Sequence, residues 1–326
     1  MLSRVANSVY WLGRYLERSE NYSRFIDVNF NLMADLPPNV KEQWEPLIRA
    51  TGDYDLYISN YDSFNREDAI HFLAFDSNNP NSLYMSISKA RENARVVREN
   101  LTKESWEKLN EIYLFVKDGA DKRIWEKEDC SQFFMDVKYG IQLLYGISEN
   151  SVARTDGWYF IHLGQYLERA DKTSRILDVK YHILLPSVEE VGSPLDFLHW
   201  TALLKSVSGF NFYRRFYGKI EPVNIVELLV LNKYFPRSVF FCLTHAEICL
   251  RTISGTTGKG YSNTAEKTLG ALQSQLEYQD VNEVISSGLH EYLDALQVKI
   301  NNISDAIHDN FFKLNPYSMN QNNLQE

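Results

Sequence analysis

Glu17, Glu20, Arg24 and Asp27 stand at i, i+3, i+7 and i+10, a spacing that lines all four along one stripe of a helix. Glu168, Asp171, Arg175 and Asp178 repeat the same signs at the same spacing. In each stripe two carboxylates sit three residues apart and need more cation than Arg24 or Arg175 alone supplies. Such a cluster has two uses. It can be an interlocking salt-bridge network where two helices meet, or, in a pocket closed to water, it can do acid–base work. In that second use Glu17 or Glu168 is the general base and arginines hold a carboxylate or phosphate. Arg18 and Arg169 directly follow the two glutamates. Consecutive residues lie roughly 100° apart around a helix, so each Glu and each Arg must find its partner elsewhere.

On these grounds the candidate binding residues are Arg18, Glu20, Arg24, Arg169, Asp171 and Arg175. Arg91, Glu92 and Arg95 join them from a basic run, and Arg237 and Arg251 from later in the chain. If two halves pack with pseudo-symmetry, the arginines of this set could converge on one anionic group. Metal is not expected: the Glu-x-x-His pairs of di-metal bundles are absent, and His162 has Trp11 at its matching place. No Gly-x-Ser-x-Gly elbow, His-Glu-x-x-His pair or phosphate-binding loop occurs, and the Gly-rich stretch 255–260 reads as a flexible loop. No cofactor is implied. Net charge of −9 argues against nucleic acid as the main partner. Cys130, Cys242 and Cys249 cannot complete a disulfide set, and no apolar run reaches the length of a membrane span, so a cytoplasmic protein is expected.

The stripes lie on a repeated element. Leu12 to Val28 returns as Leu163 to Val179 at a constant displacement of 151 residues, with Tyr-Leu-Glu-Arg at 15–18 and again at 166–169. Apolar residues at helical spacing and no internal proline predict a helix in each copy. Gly13 and Gly164 occupy matching positions inside it. Glycine costs about 1 kcal/mol against alanine in a helix interior, so both point to close approach by another backbone or a ligand.

Beyond a loop lengthened by five residues, the displacement becomes 156 and persists. Trp44, Leu47 and Ile48 match Trp200, Leu203 and Leu204. Pro80-Asn81-Ser82 matches Pro236-Arg237-Ser238, with serine as helix N-cap, and Ile147-Ser148-Glu149 matches Ile303-Ser304-Asp305. Helical patterns at 103–117 and 133–149 pair with 264–279 and 282–312. The expected fold is all-α: two tandem, pseudo-symmetric helical halves, 1–150 and 151–312, from an internal duplication, with a loose tail at 313–326. Most tryptophans lie on apolar faces, as core residues do.

The duplicated Tyr-Leu-Glu-Arg, the Ala-Arg-Glu-Asn-Ala-Arg at 90–95 and the Phe-Pro-Arg-Ser at 235–238 resemble the alpha-E domain family. The resemblance covers nearly the whole chain and places the family's Glu-Arg motif on Glu17-Arg18 and Glu168-Arg169. It implies a helical domain in a peptide synthesis or modification system, in the company of ATP-grasp ligases, transglutaminase-like proteins and an N-terminal-nucleophile peptidase. The expected role is a non-catalytic partner or scaffold for such a ligase, and the alternative is an enzyme of the same pathway. The copies are not equivalent, since Arg14 faces Gln165 and the second copy lacks most of the basic run.

Overall fold

The computed structural model describes residues 1–35, 44–182 and 192–313. They are helical, with no strand among them. In order, the helices are α1 (Ser3–Asp35), α2 (Glu45–Thr51), α3 (Tyr54–Ile58), α4 (Arg66–Ile70), α5 (Leu83–Val96), α6 (Lys103–Asp121) and α7 (Ser131–Ser151). Then follow α8 (Asp156–His182), α9 (Pro194–Ser206), α10 (Phe210–Phe216), α11 (Pro222–Val226), α12 (Val239–Ser254), α13 (Thr264–Glu277), α14 (Val281–Ser286) and α15 (Leu289–Ile307). The expected loop at 36–43, most of that at 185–196 and the tail from 314 lie outside the described residues.

The long helices α1 and α8 form the axis. Each packs against the other and against its own flanking helices, α5 and α7 around α1, α12 and α15 around α8. Contacts advance in the same sense along both: Tyr10 meets Gly164, Arg14 meets Glu168 and Glu17 meets Arg169. The two helices therefore run parallel, which requires the long crossover of α2 to α7 between them. Gly13 and Gly164 permit the approach. A Cβ on Gly13 would stand 2.0 Å from the Ile161 carbonyl oxygen, and one on Gly164 would stand 2.2 Å from that of Tyr10. It is another backbone, not a ligand, that the two glycines admit.

Local signals act as their chemistry requires. Gly52, at φ +82°, ends α2, and the Ser82 and Ser238 hydroxyls accept the Met85 and Phe241 N–H groups at the starts of α5 and α12. Helix α4 continues into a buried π-turn, His71–Phe75, and α11 into Glu227–Leu231. One expectation needs correction. The pattern at 282–312 is not a single helix: Gly288, at φ +86°, separates α14 from α15, and a final π-turn, His308–Phe312, brings Phe312 back onto Tyr10 and Phe160. Buried apolar side chains from along the whole described chain, Trp44 and Leu204 among them, belong to one continuous core.

Candidate functional site

At the α1–α8 contact the two Glu-Arg dipeptides exchange partners. Glu17 Oε1 and Oε2 accept from Arg169 Nε and Nη2 at 2.9 and 2.8 Å, a bidentate pair. Glu168 accepts from Arg18 Nε at 2.7 Å and Nη2 at 3.2 Å. Neither glutamate has any exposed surface. Each Glu thus finds its cation on the other helix, because its sequence neighbour points elsewhere.

The remaining charges differ between the two sides. On the Glu17 side, Arg237 donates to Glu17, Asn21 and Glu20, and Arg24 donates to Glu20 and to the Ser208 hydroxyl. Gln142 and Tyr145 of α7 donate to Glu20 and Glu17. On the Glu168 side, Arg14 supplies a further guanidinium, Lys172 lies 3.7 Å away, and Asn81 takes an Arg18 N–H at 2.6 Å. Arg175 pairs with Asp171 at 3.0 Å and lies over Gly52, where a Cβ would fall 2.6 Å from its Nη1. Arg24 and Arg175 thus each reach the turn after a short helix of the opposite side, Ser208 after α9 and Gly52 after α2. Asp27 pairs with Lys138 at 2.7 Å, and Asp178 with His290 at 2.8 Å.

Burial raises the proton affinity of these carboxylates, but the surrounding cations outweigh it. Arg18, Arg14 and Lys172 hold Glu168 well below the usual carboxylate range, and Arg169 and Arg237 hold Glu17 below it. Arg237 and Arg24 do the same for Glu20, Lys172 and Arg175 for Asp171. All four are ionised at neutral pH, the opposite of what a general base poised near neutrality needs.

Not every expected residue joins the cluster. Arg18, Glu20, Arg24, Arg169, Asp171, Arg175 and Arg237 do. Arg91, Glu92, Arg95 and Arg251 do not, and the convergence of all the arginines on one anion is corrected accordingly. Arg91 bonds Asn110 at 2.8 Å and lies over the Tyr113 ring, while the exposed Glu92 and Arg95 pair with each other. They sit on the side of α5 away from the α1–α8 contact, because Ala90 and Ala94 take the buried side. Arg251 ties down the loop 255–260 through the Gly258 and Gly260 carbonyls. Sequence reasoning did not place Arg14, Lys172, Lys138 and Asn81 in the network. Arg14 carried a readable signal, since it lies one turn before Arg18 on the same face.

Residues 1–312 match the family model of Alpha-E, a predicted alpha-helical domain with a conserved ER motif. The chain belongs to the Alpha-E family. Its only two Glu-Arg dipeptides are 17–18 and 168–169, the pair at the centre of this network. Among curated proteins it is similar to an uncharacterised protein of Mycobacterium bovis, 23% identical over 93% of this chain and 36% of that protein. An uncharacterised protein of Mycobacterium tuberculosis is 22% identical over the same shares. The chain therefore spans little more than a third of the length of the curated relatives it matches. No solved structure matches it.

Proposed function

We propose that this Alpha-E protein is a non-catalytic helical partner or scaffold for an ATP-grasp ligase in a peptide synthesis or modification system. In this reading the chain is an internal duplication of halves 1–150 and 151–312, and the Glu-Arg motif is the clasp between them. One observation carries it: both motif glutamates are unexposed and paired with arginines across the α1–α8 contact. A buried ion pair with its hydrogen bonds filled holds one arrangement against others and has no lone pair left for a substrate. The alternative, catalysis by Glu17 or Glu168, requires an accessible carboxylate of raised pKa, and neither has one. The span of the match in the longer mycobacterial relatives also suits a domain that works joined to others.

Copurification of the tagged chain from its own cells, with bound proteins identified by mass spectrometry, tests this. A stoichiometric ATP-grasp ligase, alone or with a transglutaminase-like protein, is the expected result. Recovery of the chain alone, with turnover of a substrate by the purified protein that is lost in Glu17→Gln, would overturn it.

A further inference from the structure

Beside the network lies a cavity of about 270 Å³, enclosed by α1, α6, α7 and α8. Leucines from α1, α6 and α7, Leu16, Leu109 and Leu144 among them, line its apolar part with Val152 and Ile161. Its polar lining groups, Arg169, Gln165, Ser148, Tyr145 and the His162–Glu149 pair, come from α7 and α8. Glu149, 42% exposed, stands at the mouth.

Two N–H donors on the cavity wall are unspent. Arg169 uses Nε and Nη2 on Glu17, and its Nη1 has no partner among the described residues. The Trp158 indole N–H is buried and unpartnered, in a side chain stacked on His162 at 3.7 Å. His162 Nδ1 faces the Trp158 carbonyl at 2.8 Å and its Nε2 faces Glu149 at 2.6 Å, and Glu149 has a cation of its own in Arg154 at 3.5 Å.

The place that the sequence repeat matches to this cavity is filled. Ser304 stands where Ser148 does and Arg14 where Gln165 does, and these two are bonded at 2.9 Å. The same guanidinium also donates to Tyr10, and Phe312 closes over Tyr10 and Phe160. Helix α7 ends at Ser151 with no such aromatic return among the described residues, and this side keeps a hollow.

We propose that this cavity is a binding site for a small monocarboxylate with an apolar, aromatic or aliphatic body, its head on Arg169 Nη1 and its body among the leucines. A cavity of about 150 Å³ lined by apolar groups takes benzene. This one has room for a ring with a short acid chain. The inference stands independently of the scaffold reading, whose failure would show in copurification and not here.

The test is isothermal titration of the full chain with 3-phenylpropionate and, separately, with 3-phenylpropan-1-amine, which has the same body and the opposite charge. Saturable one-to-one binding of the acid is expected, with a Kd of about 1 mM or tighter for a ligand of this size. The amine should bind at least tenfold more weakly. Ser148→Phe, which plugs the cavity as an aromatic ring plugs its counterpart, should abolish the binding, and Arg169→Gln should weaken the acid at least tenfold. Ser148→Phe leaves the ion pairs intact, so it remains informative should Arg169→Gln fail to fold. No saturable binding of the acid at 10 mM, equal binding of acid and amine, or unchanged binding in folded Ser148→Phe would each overturn the proposal.

Discussion

Glu168 has no water to fall back on. Its two oxygens take donors from Arg14 and Arg18, and removing the carboxylate leaves both guanidinium groups buried without their counter-charge. Breaking a buried pair from one side is costly for that reason, and Glu168→Ala should lose about 3–5 kcal/mol of unfolding free energy in urea. A loss under about 1 kcal/mol would mean the arginines re-solvate freely. The same network sets the response to acid. The pKa values of Glu168 and Glu20 are lower folded than unfolded, so their contribution is complete above the ordinary value of 4.5 and drains away as pH falls below it. Urea midpoints measured from pH 7 down to pH 3 should therefore drop steeply below about 4.5, and Glu168→Gln should flatten that drop. A midpoint that wild type holds level to pH 3 would contradict the coupling.

Helices α1 and α8 carry the residues, and two glycines set how close the helices come. Alanine at a helix-interior glycine ordinarily gains about 0.5–1 kcal/mol from chain entropy alone. At Gly13 and Gly164 a methyl would drive into a facing carbonyl at 2.0 and 2.2 Å, an overpacking that costs 1–3 kcal/mol or more and pries the Glu-Arg pairs apart. Steric cost wins there. Gly146 in α7 has nothing within 4 Å of the same position and serves as the contrast. Thermal melts should show Gly13→Ala and Gly164→Ala destabilised and Gly146→Ala neutral or slightly stabilised. Equal shifts for all three would remove close approach as the reason for the pair. These elements were legible because glycine inside a strongly periodic helix is a local conflict that only packing resolves. The break at Gly288 and the three π-turns were not, because apolar spacing runs through them unchanged. The direction of Arg91 was hidden for a related reason: a basic run on a helix says nothing of which face the neighbouring helices cover, and here they cover the alanines.

Over the whole molecule, the clasp makes the two ends of the chain depend on each other. Residues 1–150 alone would expose the α1 face that α8 covers and strip Glu17 of Arg169 and Arg237; residues 151–312 would strip Glu168 of Arg14 and Arg18. Neither piece should give a cooperative melt by circular dichroism, while their mixture or the intact chain should. Independent cooperative melts of both pieces would make the clasp a weak docking contact. Sequence alone could reach this far, since the repeat brought two copies of the same charged stripe into one chain and the i to i+1 geometry denied each Glu its neighbour. It could not foresee that Arg14 and Arg237 complete the two sites differently, because which cation fills a gap is set by packing many residues away.

The most direct check on the exchange of partners is a double-mutant cycle. Unfolding free energies of Glu168→Ala, Arg18→Ala and the double variant should reveal a coupling of about 1–3 kcal/mol between residues 150 positions apart. The cycle for the adjacent Glu17 and Arg18 should give much less. Additivity of Glu168 and Arg18 within about 0.5 kcal/mol, or stronger coupling between the sequence neighbours, would contradict the clasp.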